Sequence, residues 1–236
     1  VTAIFSRYLK ANGTSREALI LVGDPCIEWR LPNDGLPLLP DATKSKDPDL
    51  VHFYRGAFQW LSARKDKANE AFSLAVKSAP DSGEMLARIA DFMLQTGNAK
   101  EARSHLERAL KKNGKSLPII LKLASVVEDE KKGRGLKLLN RKVGRKAPPA
   151  SQIAAARWCR DRGLAADSMR FARLAVKRAE GADRAASWLL LGQLLLAADD
   201  EAGAIEALQE AFFASEADMA TADVVFAAWA NHQSQR

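Results

Sequence analysis

The chain has 236 residues, 47% of them hydrophobic, with 14 Gly, two Cys and a formal net charge of +7. Ala, Leu, Lys, Arg and Glu outweigh Val, Ile and Tyr, which favours helix over sheet in one large or two small domains. Cys26 and Cys159 stand in no metal or redox spacing, which speaks against a disulfide framework, and no run reaches the roughly 20 apolar residues of a spanning helix.

The first predicted helix covers residues 1–12. Its exit, YLKANGTS at 8–15, echoes ALKKNGKS at 109–116, so it reads as a second helix whose first helix is absent. A new helix starts in REALILVGD at 16–24, with Leu19, Val22 and Gly23 in its apolar row, and Pro25 is expected to break it. WRLPNDGLPLLPDATKSKDPD at 29–49 is then a Pro-rich excursion where a second helix would stand.

From residue 49 the pattern becomes regular. ANEAFSLAVKSAPDS at 68–82, KEARSHLERALKKNGKS at 100–116 and AGAIEALQEAFFASEAD at 202–218 each carry Ala, a large apolar residue four on, and Ala three further. A small residue lies 12 positions before the first Ala of each set, namely Gly56, Ala90 and Gly192. Frames starting at 49, 83, 117 and 185 are multiples of 34 residues apart. Two repeats are weaker. In 117–148 Ala124 fits, but Leu136, Asn140 and Val143 replace the small-large-small set, and Asn140 needs a polar partner or an outward shift. In 149–184 the fitting residues are Ala156, Gly163, Ala172 and Ala175.

This pattern resembles the tetratricopeptide repeat, most closely over 185–218, where Trp188, Leu191, Gly192 and Leu195 are followed by Ala204, Leu208 and Ala211. The resemblance implies an all-α, right-handed α-α superhelix of antiparallel helix pairs, in which each pair buries its apolar stripe against the next. The implied division is a partial repeat plus a degenerate Pro-rich repeat over 1–48, five repeats over 49–82, 83–116, 117–148, 149–184 and 185–218, and a capping or next-repeat helix over 219–236 containing Val225, Phe226 and Trp229. A chain that opens on Val1 in mid-repeat reads as a slice of a longer bacterial array. The apolar run SWLLLGQLLLAA at 187–198 is then the first helix of a repeat and no membrane anchor.

Chemistry has few candidates. His52, His105 and His232 have no metal spacing, and ALKKNGKS lacks both the first Gly and the preceding strand of a phosphate loop. No catalytic residue, metal ligand or cofactor site is assigned, and the reading is that the chain is not an enzyme. The resemblance implies a concave groove lined by first helices. Its partner-binding residues would be Phe53, Trp60, Glu84, Asp91, Glu128, Arg157, Arg160 and Gln193, with Phe53 and Trp60 as anchors. The Lys and Asn set with which chaperone adaptors of the family clamp a terminal carboxylate is missing.

Charge is unevenly spread. No Lys or Arg lies between Ala185 and Gln235, where eight acids fall from Asp199 to Asp223. KKGRGLKLLNRKVGRK at 131–146 holds eight Lys or Arg and no acid, and Arg134, Lys137, Arg141 and Arg145 are expected to share one helical face. Cations near helix C-termini also complement the helix dipole, which accounts for some of these residues.

The function read from the sequence is a non-catalytic scaffold that takes a partner protein or peptide in its groove. The alternative is a periplasmic scaffold of a bacterial exopolysaccharide export system, with an anionic polymer as a further partner; it rests on analogy. Nucleic acid ranks last among partners. The sequence leaves periplasm and cytoplasm both open.

Overall fold

The computed structural model describes residues 2–215 and, beyond them, Asp223, Ala227 and Ala230. The expected capping helix over 219–236 lies almost wholly outside the described residues. The chain divides into two compact units, Val1–Ile119 and Ile120–Arg236.

The first unit contains α1 (Thr2–Asn12), α2 (Arg16–Glu28), the single turn α3 (Pro32–Gly35), two 3-10 turns at Leu36–Leu38 and Ala42–Lys44, α4 (Pro48–Leu61), α5 (Lys65–Ser78), α6 (Ser82–Gln95) and α7 (Ala99–Lys112). Helix α8 (Leu117–Glu130) carries the chain into the second unit. There follow α9 (Arg134–Lys142), α10 (Pro149–Arg160), α11 (Ala165–Val176), α12 (Gly181–Leu196) and α13 (Glu201–Ala214). No strand occurs among the described residues. Short turns join α4 to α5, α6 to α7, α10 to α11 and α12 to α13, and each couple packs side by side as an antiparallel pair.

Local chemistry sets the ends. Pro48 and Pro149 open α4 and α10, where a missing N–H costs nothing. Asp81 accepts from the N–H groups of Gly83 (2.8 Å) and Glu84 (3.1 Å) to cap α6. The stops repeat. After α4, α6, α10 and α12 one residue takes a left-handed φ: Ala63, Gly97, Gly163 and Asp199. The next N–H reaches back five residues, from Arg64 to Gln59, Asn98 to Met93, Leu164 to Cys159 and Asp200 to Leu195, at 2.8–3.0 Å. This six-to-one bond satisfies the last carbonyls of each helix. Helix α2 ends in the same way, with Arg30 left-handed and the Leu31 N–H on the Cys26 carbonyl at 2.8 Å. By its stop, α2 is a helix of the same kind as α4 and α6, although short turns follow it where they have a long partner.

Pro25 does not break α2, contrary to the expectation above; the helix runs on to Glu28. The bond Pro25 cannot make is to the carbonyl of Leu21, on the face where that side chain is 54% exposed. The last turn is held instead by the Trp29 N–H on the Pro25 carbonyl at 2.9 Å.

Small residues admit large ones between paired helices. A Cβ on Gly56 would stand 2.6 Å from the Phe72 ring, and one on Gly192 would stand 2.7 Å from Leu208. Phe72 packs on Phe53 and Phe92, with ring centres 6.2 and 5.9 Å apart. Helix α12 is apolar nearly all round because α10, α11 and α13 all pack on it. No helix among the described residues is long and apolar enough to cross a membrane.

Helix α9 departs from the expected register by one residue. Gly135, not Leu136, is its small residue: a Cβ there would collide with the Ala124 carbonyl and lie 2.9 Å from the Trp158 ring. Leu139 is its buried large residue, and Val143 closes the row. Asn140 therefore faces out, where its carbonyl accepts from Arg170. Arg145 is a second correction. Helix α9 ends at Lys142, so Arg145 lies in the following turn and not on the face of Arg134, Lys137 and Arg141.

Candidate functional site

Three first-type helices of the first unit, α2, α4 and α6, wall a cavity of about 670 Å³. Asp24, Ile27 and Glu28 come from α2, and Arg30 from its stop. Phe53 and Leu61 come from α4, and Arg88, Asp91, Phe92 and Gln95 from α6. Glu28, Arg30 and Gln95 are exposed, so the cavity opens to solvent as a groove.

A polar network holds its wall. The Tyr54 hydroxyl donates to Asp24 at 2.7 Å, and Arg88 donates to that hydroxyl at 2.9 Å and to Asp24 at 3.0 Å. The Arg88 guanidinium also lies over the Phe53 and Tyr54 rings, 5.0 and 5.6 Å from their centres. Burial pushes the pKa of the Tyr54 hydroxyl up against the pull of Arg88, so the proton stays on and the hydroxyl can donate. Tyr54 reaches this place because Gly23 leaves room for its ring; a Cβ on Gly23 would overlap it.

Of the residues expected to line a groove, Phe53 and Asp91 meet at this cavity. Phe53 is 2% exposed, so it is a core ring with one edge on the groove and no free anchor. Trp60 is half-buried, covered by the Lys65 ammonium at 5.2 Å, and neither it nor Glu84 is among the cavity walls. Glu84 stands exposed in the first turn of α6, where a carboxylate suits the dipole.

In the second unit Glu128 is occupied. Its carboxylate accepts from the N–H groups of Gly133 (2.7 Å) and Gly135 (2.8 Å), which caps α9 and withdraws it from ligand duty. Arg157 and Arg160 are exposed on α10, the latter paired with Asp161 at 3.2 Å, and Gln193 is half-buried on α12. Lys137 and Arg141 are exposed on α9, and Arg134 lies 3.9 Å from Glu130. Burial pushes the Cys159 thiol up to about 12, which leaves no reactive thiolate near neutral pH.

The reading of the sequence missed Asp24 and Arg88. The signal was present, since Arg88 stands 34 residues after Tyr54, at the same place in the next helix of its kind.

Residues 64–125 match the family model of the tetratricopeptide repeat, a segment that runs from the start of α5 into α8. No curated protein matches the chain. Among solved structures it is similar to PilW, a type IV pilus biogenesis factor, at 17% identity over 89% of this chain and 97% of that one, with a TM-score of 0.46. It is similar to PilF of Pseudomonas aeruginosa at 14% identity over 94% of this chain and 97% of that one, with a TM-score of 0.44. A tetratricopeptide-repeat protein from Cytophaga hutchinsonii, represented by its C-terminal part, shows 11% identity over 94% and 92% of the two chains, with a TM-score of 0.46. Likenesses this weak say nothing of partner or activity. The described residues thus form an all-α array of paired helices with a recurring stop, and the segment 64–125 within it matches the tetratricopeptide repeat.

Proposed function

We propose that the protein is a non-catalytic interaction scaffold, and that the groove walled by α2, α4 and α6 binds an extended peptide segment of a partner protein. The observation that carries this reading is the groove itself. Three successive helices of one kind present a cavity of about 670 Å³ that combines aromatic edges with open charged groups. Such a surface suits a peptide, whose side chains need apolar contact and whose backbone needs polar partners. The Asp24–Tyr54–Arg88 network fixes the three helices against one another, so the groove exists before a ligand arrives and little ordering is required on binding. No observation favours the polymer-export alternative.

Panning of a random-peptide library against the whole protein tests the proposal. Enriched peptides are expected to bind the native protein and to lose at least tenfold in affinity against Gln95→Arg, which puts a long cation at the rim. Enriched peptides that bind this variant as well as the native protein would refute the groove as their site.

A further inference from the structure

Between Lys131 and Arg178 the sequence carries fifteen Lys or Arg and two acids, Asp161 and Asp167. Folding sets two of the helices that carry them against each other. Arg170 on α11 donates to the Asn140 carbonyl on α9, and Arg178, just past α11, donates to the Arg145 carbonyl at 2.9 Å. Lys137 and Arg141 on α9 lie one turn apart on one face. Arg173 and Lys177 continue the row that Arg170 begins on α11. With Arg145 in the turn, these five cations are exposed and form no ion pair among the described residues.

Two of the five go beyond what helix ends require: Lys137 stands in the middle of α9 and Arg145 in a turn, whereas Lys177 is the C-cap of α11. We propose that Lys137, Arg141, Arg145, Arg173 and Lys177 form a face that binds the phosphate backbone of double-stranded nucleic acid without reading its sequence.

The face lacks what other anionic partners would need. A protein interface is built on buried apolar anchors. Among the described residues the exposed large hydrophobics are Ile4, Leu21, Trp29, Leu74, Leu94, Ile205 and Phe213, and none lies on α9 or α11. A single strand needs exposed rings for its bases to stack on. Trp158 and Phe171, the aromatic residues of α10 and α11, are 7% and 0% exposed. What remains is a cluster of cations, rich in guanidinium groups, which suit the paired oxygens of a phosphate.

The test is fluorescence anisotropy with two 20-base-pair duplexes of unrelated sequence, in a salt series. Equal affinity for both is expected, with log K falling against log salt at a slope of about −4 to −5 for five phosphate contacts. The combined variant Lys137→Glu/Arg141→Glu/Arg173→Glu is expected to lose at least tenfold. The milder Lys137→Gln/Arg141→Gln/Arg173→Gln is expected to lose in the same direction, with circular dichroism showing both folded. Lys67→Glu/Lys100→Glu/Lys111→Glu, an equal charge change on exposed lysines of the first unit, is expected to lose less than twofold. No duplex binding at low salt would overturn the proposal. So would equal loss in the two reversed variants, or tighter binding to a single strand, a polyuronate or an acidic peptide than to duplex.

Discussion

Tyr54 and Arg88 stand 34 residues apart in the chain and meet at 2.9 Å, with Asp24 as their common acceptor. One repeat length along the sequence thus becomes one step from helix to helix. Tyr54→Phe removes a hydroxyl that both donates and accepts, and is expected to cost about 1 kcal/mol in urea unfolding. Arg88→Met is expected to cost more, because it removes the bonds to both the Tyr54 hydroxyl and Asp24 together with the cation over the Phe53 and Tyr54 rings. The two changes together are expected to depart from additivity by at least about 0.5 kcal/mol. Simple additivity would mean that the three groups do not act as a network.

Phe72 is 2% exposed and fills the space that Gly56 leaves, against Phe53 and Phe92. Phe72→Ala is expected to destabilise the fold by about 3–5 kcal/mol. A loss near zero in chemical denaturation would contradict this packing.

Gly135→Ala tests the corrected register of α9. The added methyl would meet the backbone carbonyl of Ala124, which cannot swing aside as a side chain can. The expected cost is about 1–3 kcal/mol or more. Leu136→Ala, at the half-buried position next to it, is expected to cost less. Thermal unfolding of the two variants gives the order, and the reverse order would restore the earlier register.

Ala63 holds a left-handed φ of 60° at the place where Gly97 and Gly163 have φ of 78° and 70°. A Cβ is strained there by about 1 kcal/mol, and Gly relieves it. Ala63→Gly is expected to raise stability by up to about 1 kcal/mol, an unusual gain for a change to Gly. Lower stability on differential scanning calorimetry would show that the strain is absent.

Burial, with Arg108 adding to it, pushes the His105 imidazole down to about 4 from an ordinary 6.5. The folded protein therefore keeps the ring neutral where the unfolded chain takes up a proton. That contribution to stability is intact above pH 6.5 and is lost as the pH falls from 6.5 towards 4. His105→Gln is expected to lose less stability than the native protein across that range. Parallel curves for the two proteins would contradict it.

How much of this was legible follows from what each signal encodes. The small-large pairs Gly56 with Phe72 and Gly192 with Leu208 could be read because contact between paired helices repeats in the sequence. Helix α1 could be read by the echo of its exit. The continuation of α2 through Pro25 could not, because the rule for proline is local and the bonds that hold Glu28 and Trp29 lie beyond it. In α9 the expected row placed Asn140 inside, while Gly135 one position earlier was the residue that the close contact with Ala124 demands.

The groove was harder still. Helical spacing puts Phe53 on the same side as Asp91, but it does not separate a ring packed in the core from one offered to a ligand. Glu128 had the right helix and charge for a groove, yet two N–H groups at the start of α9 claim it. Such claims depend on how a turn folds back, which no spacing rule records.

A partner peptide is proposed to lie in the groove of the first unit. A photo-crosslinking amino acid at Gln95, on the groove, and another at Glu70, exposed on α5, test it most directly in the cell that makes the protein. A discrete protein adduct is expected from position 95, abolished by Asp91→Lys, and none from position 70. Adducts from position 70 alone, or adducts from position 95 that survive Asp91→Lys unchanged, would contradict it.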